Sequence, residues 1–247
     1  MTISSAHKTD IGRTAKRNQD YIWTDEQRGI YIVADGMGGQ DAGEIASELA
    51  ATTAGRFMAT RLTAATDPLS TSTARDLMIG ALEAANETVM VAAKEAKQDH
   101  PMGAAIVVVL VRPSTAYICH AGDARAYLVR ASNLTRLTVD DSWVAQLVAA
   151  GVITEAQAQH HPLGHILMKA VGHESPLQPT FTEIAIRPGD WLLLCSDGFW
   201  KMVGNEQTLA ILQRANFDPA PGVEALVEAA NAAGGKDNIS LIVIQIT

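Results

Sequence analysis

The sequence contains only two cysteines, and it lacks long apolar runs and basic blocks. Cys119 and Cys195 lie within apolar, strand-like runs, so they are predicted to be buried free thiols rather than parts of a disulfide framework or a zinc site. No apolar run is long enough to cross a membrane, and residues 1–10 lack the apolar core of a signal peptide. These absences predict a cytoplasmic protein without a membrane span.

Basic residues are also in the minority. The chain of 247 residues carries 27 acidic and 19 basic residues, which gives a net charge of −8. A protein that binds the backbone of nucleic acids usually has a basic excess, so nucleic acid is not an expected partner. The length fits a single domain of residues 1–247, and no linker, low-complexity tract or internal repeat divides the chain.

The most informative stretch, residues 30–39, is an apolar run that ends in a carboxylate and a glycine-rich turn. The β-branched run before Asp35 predicts a buried strand. A buried Asp without a partner is costly, so Asp35 is expected to contact a cation. Gly36, Gly38 and Gly39 permit a tight turn and a close approach of the backbone to a ligand.

The same arrangement recurs along the chain. Asp123 and Asp197 also stand beside glycine at predicted strand edges, Asp237 lies in a glycine-rich turn before the last predicted strand, and Asp20 precedes the first predicted strand. Each alone fits an ordinary turn, but together with Asp35 they predict carboxylates gathered at one end of a sheet core. Such carboxylates repel one another unless cations neutralise them, and oxygen ligands favour Mg²⁺ or Mn²⁺. Two ions that share a carboxylate can activate water for phosphoryl transfer.

Hydrophobic periodicity predicts the other elements. Strands are expected at residues 21–23, 29–34, 104–111, 115–121, 124–130, 181–186, 191–195 and 239–246, and helices at 43–62, 74–97, 206–215 and 222–233. Between residues 139 and 172 the strand pattern stops, and Asp141-Ser142 and Thr154 are expected to cap two short helices. This part also contains His160, His161, His165 and His173. They could form a metal site, but their loop spacing favours exposed polar residues.

Six motifs occur in a fixed order, and the chain resembles the bacterial branch of the 2C-type metal-dependent protein serine/threonine phosphatases from residue 9 to residue 246. The motifs are Asn18-Gln19-Asp20, Asp35-Gly36-Met37-Gly38-Gly39, Met102-Gly103, Gly122-Asp123-Ala124-Arg125-Ala126-Tyr127, Ser196-Asp197-Gly198 and Gly235-Lys236-Asp237-Asn238. The resemblance implies an α+β fold, a four-layer α-β-β-α sandwich in which helices flank two central antiparallel sheets.

The resemblance also implies a catalytic role for four carboxylates that hold two core ions, Mn²⁺ or Mg²⁺. Asp35 would bridge the two ions. Asp197 and Asp237 would complete the first metal site, and Asp20 with the carbonyl of Gly36 would serve the second. A metal-activated water would then attack phosphorus in line, without a covalent phosphoenzyme.

Three further features follow from the same resemblance. Asp123, together with Asp197, would hold a third and weaker ion, as in bacterial members. Asn238 would support the loop that carries Asp237. Residues 141–172 match the family's flap, a segment beside the site that influences substrate access.

The chain departs from the family pattern at the phosphate-binding position. Many members carry an Arg five residues before the position of Asp20, where this chain has Ala15. Arg13, Lys16 and Arg17 are the expected replacements, although Lys does not reproduce the fork of an Arg side chain.

Two other departures concern the core turn and the fifth motif. Met37 stands where animal members have a His, so no protein acid is expected there for the leaving group. The Phe199-Trp200 form of this motif is similar to that of phosphatases encoded with type VI secretion systems. In those systems a phosphatase opposes a threonine kinase acting on a forkhead-associated protein. The alternative is an aromatic pair that only packs under the site.

The expected function is metal-dependent dephosphorylation of phosphoserine and phosphothreonine in proteins, opposing a bacterial Ser/Thr kinase. The partners would be a phosphorylated protein, the kinase or a forkhead-associated protein, and the chain is expected to be a monomer. Two alternatives remain open. Ala15 is compatible with a catalytically weak phosphoprotein-binding module, and the carboxylate pattern alone also fits a small-molecule phosphomonoesterase.

Overall fold

The computed structural model describes residues 2–39, 41–96, 102–159 and 161–247. Within these ranges the chain forms two five-stranded antiparallel sheets, with the strand orders β2-β3-β4-β5-β8 and β1-β10-β9-β6-β7. The strands are β1 (Ile3–Asp10), β2 (Asp20–Asp25), β3 (Ile30–Met37), β4 (Gly103–Arg112), β5 (Thr115–Ala121), β6 (Arg125–Arg130), β7 (Asn133–Arg136), β8 (Thr180–Ala185), β9 (Trp191–Cys195) and β10 (Ile239–Ile246).

Seven α-helices lie within the described ranges. They are α1 (Ala42–Ala59), α2 (Thr71–Glu95), α3 (Trp143–Ala149), α4 (Glu155–Gln159), α5 (Asp197–Trp200), α6 (Asn205–Arg214) and α7 (Pro219–Ala232). Polar side chains start several of them, because the first amide groups of a helix lack partners within it. Ser70 accepts a hydrogen bond from the amide of Thr73 at 3.2 Å, and Ser142 accepts one from the amide of Ala145 at 3.3 Å.

Strands β3 and β4 are buried on both faces, because one face of their sheet packs on helices and the other on the second sheet. Ile30 and Ile32 point towards helices α1 and α2, whereas Tyr31 and Val33 point towards the second sheet. This division follows from the two-residue period of a strand. A third apolar cluster lies between the second sheet and helices α6 and α7. The structure thus has a helix, sheet, sheet, helix order, and the predicted fold class is confirmed.

Two strands escaped prediction. Residues 3–10 look polar, yet they form β1, which pairs with β10 along its full length, from Ile3 opposite Ile246 to Asp10 opposite Ile239. As an edge strand, β1 is only half buried, so its sequence carries little apolar signal. Strand β7 is short and mostly exposed for the same reason. The predicted end of the second helix at Lys97 lies outside the described residues, and no helix in the described part is long and apolar enough to span a membrane.

Candidate active site

Five carboxylates lie together at one edge of the sandwich, and we call them the carboxylate cluster: Asp20, Asp35, Asp123, Asp197 and Asp237. Asp20 begins β2 and lies directly opposite Asp35 of β3. Asp123 follows β5, Asp197 begins α5 after β9, and Asp237 precedes β10. The two sheets therefore bring strand ends that are far apart in sequence to one place. The structure brings together all five predicted carboxylates.

Asp20 and Asp35 form the most crowded part of the cluster. Ser196 donates a hydrogen bond from Oγ to Asp20 Oδ2 at 2.7 Å, and the Asp197 amide lies 3.4 Å from Asp35 Oδ2. Burial raises the pKa of Asp20 to about 7, against the opposing hydrogen bond from Ser196. Desolvation, followed by the charges of the neighbouring aspartates, raises the pKa of Asp35 well above its usual range. A cation nearby would therefore favour the ionised form of both carboxylates.

Asp123 has a different environment, because a lysine lies beside it. Burial raises the pKa of Asp123 to about 7, and the charge of Asp197 adds to this effect, whereas Lys201 lowers the pKa. Lys201 Nζ is 3.9 Å from Asp123 Oδ2 and forms a close ion pair with Asp197 Oδ2. The lysine therefore contacts both carboxylates at this end of the cluster.

Trp200 fixes the backbone next to Asp123. Its Nε1 donates a hydrogen bond to the Asp123 carbonyl oxygen at 2.9 Å, and its ring centroid lies 3.4 Å from the Arg125 guanidinium carbon. Arg125 in turn donates two hydrogen bonds to Asp140, at 2.9 and 2.6 Å. Phe199 is buried in the third apolar cluster. The two aromatic residues thus differ in part, since Phe199 is buried in the core, whereas Trp200 packs against the same cluster and also contacts Asp123 and Arg125.

The glycines of two motifs are required by close backbone contacts. A Cβ on Gly36 would lie 1.9 Å from the carbonyl oxygen of Gly43, and a Cβ on Gly198 would lie 2.0 Å from the carbonyl oxygen of Asn238. Both distances are far too short for any side chain. In both Asp-Gly pairs, the residue after the aspartate packs directly on the backbone of another segment. Only glycine, which has no Cβ, fits at this position.

Asn238 joins the loop of Asp237 to residues 11–19, the loop between β1 and β2 that we call the N-terminal loop. Its Oδ1 accepts a hydrogen bond from the Gln19 amide at 2.7 Å, and its Nδ2 donates to the carbonyl oxygens of Ile11 and Arg17, both at 2.9 Å. Asn238 is buried, so each of these bonds would leave an unsatisfied backbone group if it were lost. This geometry supports the predicted role of Asn238 in positioning the Asp237 loop.

The three predicted phosphate-binding residues lie on the same N-terminal loop, and all three are exposed. Arg17 forms a close ion pair with Asp41 and lies 3.8 Å from Glu44. The Arg13 amide donates to the carbonyl oxygen of Gly235 at 2.7 Å, which attaches the loop to the glycines before Asp237. Exposed ion pairs are weak, so the present partners of Arg17 do not prevent it from contacting a phosphate.

The predicted flap, residues 141–172, closes against the strand ends beside the carboxylate cluster. The Asp141 amide donates to the Gly122 carbonyl oxygen at 2.9 Å, and Lys169 Nζ lies 2.9 Å from Asp141 Oδ1. At its other end, Ala104 and Val171 exchange two backbone hydrogen bonds of 2.9 Å. The flap is thus anchored beside Asp123 at one end and to β4 at the other.

Divalent cations fit the cluster by its chemistry. Its side-chain donors are carboxylate oxygens, the ligands that Mg²⁺ and Mn²⁺ prefer, and the raised pKa values of Asp20 and Asp35 indicate uncompensated negative charge. In the described part of the chain, no group of three or more His, Cys, Asp or Glu side chains is arranged to hold a metal ion. Backbone carbonyls and water would therefore complete the coordination, as is usual for Mg²⁺.

Sequence reasoning missed Lys201, and it left the role of Trp200 open. The signal for Lys201 was present, because a lysine four residues after an aspartate at a helix start lies on the same face of that helix. The histidines of the flap do not assemble into a site within the described residues, and His160 lies outside them. His161 Nδ1 instead accepts a hydrogen bond from the Leu163 amide at 3.1 Å.

Comparisons with known proteins agree with this geometry. The family described as protein phosphatase 2C matches residues 12–233. Protein phosphatase PhpP of Streptococcus pneumoniae is 33% identical over 245 residues, which cover 96% of this chain and 95% of PhpP.

Two solved structures are also similar over nearly the full length of both chains. The catalytic domain of the serine/threonine protein phosphatase PstP in complex with two manganese ions has a TM-score of 0.84 and 31% identity, and it covers 99% of each chain. PppA, a regulatory component of the type VI secretion system of Pseudomonas aeruginosa, has a TM-score of 0.86 and 29% identity, with 100% of this chain and 99% of PppA covered. The resemblance seen in the six motifs is confirmed, and the chain belongs to the protein phosphatase 2C family.

Proposed function

We propose that this protein removes phosphate from phosphoserine and phosphothreonine side chains of proteins, with two divalent cations held by Asp20, Asp35, Asp197 and Asp237. The observation that carries the proposal is the direct pairing of Asp20 with Asp35 across β2 and β3. Two paired carboxylates with raised pKa values are suited to binding shared cations rather than to general acid–base catalysis by protein side chains alone. Membership of the protein phosphatase 2C family supports phosphoproteins as the substrate class.

The chain's own residues would hold and orient the reacting groups. Asp35 is central in the cluster and is suited to contact both cations, while the carbonyl of Gly36 and Asp20 would serve one of them. Ser196 donates a hydrogen bond to Asp20 Oδ2 and so orients this carboxylate. When bound, the two cations would lower the pKa of a water molecule and neutralise phosphate charge.

The substrate phosphate would approach between the carboxylate cluster and the N-terminal loop. Arg13, Lys16 and Arg17 supply positive charge on this loop, and Ala15 leaves the usual Arg position empty of charge. Met37 cannot donate a proton, so the leaving alkoxide would take its proton from water. The flap, anchored beside Asp123, would border the path of the peptide on the other side.

The pathway and the setting are also proposals. The likeness to PppA and the Phe199-Trp200 pair support a role opposite a Ser/Thr kinase, with a forkhead-associated protein as one candidate substrate. Cys119 and Cys195 are both free and buried, which is compatible with a reducing compartment such as the cytoplasm. We propose that the chain acts there as a monomer.

Steady-state hydrolysis separates this function from its two alternatives. A phosphothreonine peptide and a small aryl phosphate are each assayed with Mn²⁺ and with EDTA, and Asp35→Asn serves as the inactive control. Mn²⁺-dependent turnover of the peptide supports the proposal. Turnover of the aryl phosphate alone would indicate a small-molecule phosphomonoesterase, and peptide binding without turnover would indicate a binding module.

A further inference from the structure

A lysine side chain occupies the position at which the family resemblance places a third divalent cation. Lys201 forms a close ion pair with Asp197 Oδ2, and its Nζ lies 3.9 Å from Asp123 Oδ2. Asp123 and Asp197 are the two carboxylates expected to share that third ion. The positive charge between Asp123 and Asp197 is therefore the ammonium group of a lysine side chain of the protein itself.

The short helix α5 dictates where this ammonium lies. Asp197 is its first residue and Lys201 is its C-cap, whose amide donates to the Asp197 carbonyl oxygen at 3.0 Å. Residues four apart lie on the same face of a helix, so the Lys201 side chain extends back over Asp197. The lysine side chain is long enough for its ammonium group to come near Asp123 as well.

Trp200 and Arg125 hold Asp123 in range of the lysine. The Trp200 indole donates to the Asp123 carbonyl oxygen at 2.9 Å, and its ring centroid lies 3.4 Å from the Arg125 guanidinium carbon and 5.1 Å from Lys201 Nζ. Arg125 is itself tied to Asp140. This arrangement fixes the backbone of Asp123 within reach of the lysine side chain.

The charges at this end agree with such a role. Asp123 is 6% exposed, so its charge is poorly compensated by solvent. The Lys201 ammonium contacts Asp197 Oδ2 and lies 3.9 Å from Asp123 Oδ2, so one positive charge faces both carboxylates. A divalent cation would have to displace the ammonium to reach both carboxylates.

We propose that the Lys201 ammonium takes the place of the third divalent cation, which leaves this protein with two metal sites and a built-in cation between Asp123 and Asp197. The inference rests on the proposed two-metal function of the remaining carboxylates. It revises the expectation that Asp123 and Asp197 bind a third ion.

Counting bound Mn²⁺ tests the proposal. The protein is titrated with Mn²⁺ into the millimolar range, and free Mn²⁺ is measured by electron paramagnetic resonance. Four forms are compared: wild type, Lys201→Met, Lys201→Met with Asp123→Asn, and the control Lys236→Met, which removes an exposed lysine beside Asp237. We expect two ions in wild type, three in Lys201→Met with the third bound more weakly, and two in both remaining forms.

Other counts would overturn the inference in distinguishable ways. Three ions in wild type, or two in Lys201→Met, would show that the lysine does not substitute for a metal, while the proposed function would stand. No bound Mn²⁺ in wild type would overturn the proposed function and this inference with it.

A second measurement is independent of metal binding. In EDTA, Lys201→Met should melt at a lower temperature than wild type and Lys236→Met, because Asp123 and Asp197 lose their shared cation. Unchanged melting, together with an increased KM for phosphopeptide, would show that Lys201 binds the substrate phosphate instead and would overturn the inference.

Discussion

Asp20 and Asp35 lie opposite each other across β2 and β3, and within the described residues neither forms an ion pair, whereas Asp123 and Asp197 share the ammonium of Lys201. We call the first pair the metal-dependent end and the second the lysine end. Carboxylates at the first end have hydrogen bonds to serine and to backbone amides but no side-chain cation. The same side-chain type thus stands in two electrostatic settings within one cluster.

The difference shows which part of the site must depend on added ions. A buried carboxylate without a cation either takes up a proton or destabilises the fold, because its charge is desolvated. Divalent cations bound at the metal-dependent end would therefore favour the ionised form of both carboxylates. The lysine end is partly neutralised by the chain itself, so its contribution to folding depends less on metal.

The largest effect is expected for Asp35→Asn. Loss of the shared carboxylate should remove both core ions, and metal-ion stabilisation of several kcal/mol corresponds to about a thousandfold or more in kcat/KM. Phosphopeptide turnover and calorimetric Mn²⁺ titration measure the two effects. Asp67→Asn, at an exposed aspartate that contacts Thr63, is the matched control and should change neither.

Asp123→Asn gives the comparison at the lysine end. This variant should keep two bound ions while turnover slows, because Asp123 is not a core ligand. Retention of two tightly bound ions in Asp35→Asn, or their loss in Asp123→Asn, would show that the two ends are assigned the wrong way round.

Asn238→Ala should weaken the metal-dependent end without removing a ligand. Three buried hydrogen bonds to the N-terminal loop are lost, so we expect the free energy of unfolding to fall by about 3 kcal/mol. Loss of a residue that orients ligands should also weaken Mn²⁺ binding by roughly 10–100-fold. Urea denaturation and Mn²⁺ titration measure these changes. Asn133→Ala, at an exposed position of β7, is the control. Equal effects in both variants would contradict the role of Asn238 in positioning the Asp237 loop.

The N-terminal loop beside the metal-dependent end should also bind phosphate. If Arg13, Lys16 or Arg17 contacts the substrate, its change to Ala should raise KM for phosphopeptide about tenfold or more with a smaller change in kcat, since charge-assisted hydrogen bonds contribute roughly 1.5–3 kcal/mol. Ala15→Arg should lower KM. Wild-type KM values in all four variants would mean that the cations alone hold the phosphate.

The smallest expected effect is on stability against pH. The folded-state pKa values of Asp20 and Asp123 are raised to about 7, above the unfolded value, so their protonated forms favour folding at low pH and this contribution is lost as pH rises through about 7. In EDTA, the melting temperature should fall by roughly 5 °C or more between pH 5 and pH 8. Saturating Mn²⁺ should remove the part of this fall that comes from Asp20 and leave the part that comes from Asp123, and an identical fall with Mn²⁺ would contradict metal binding by Asp20.

The positions of Asp20 and Asp35 at strand ends could be predicted because their signals are local. Asp35 stands beside glycine at the end of an apolar run, Asp20 stands directly before one, and antiparallel pairing of β2 with β3 places the two side by side. Lys201 was overlooked because its partner Asp123 is distant in sequence and becomes its neighbour only through the packing of α5 against the strand end. Strand β1 was missed because an edge strand is only half buried.

Anomalous diffraction from a crystal soaked in Mn²⁺ distinguishes the two ends, because it locates each ion relative to both of them. We expect two peaks at the metal-dependent end, both in contact with Asp35, and electron density for the Lys201 side chain between Asp123 and Asp197 with no peak there. A third peak between those two carboxylates, with the lysine displaced, would contradict the built-in cation. Absence of any peak at Asp35 would contradict the metal-dependent end itself.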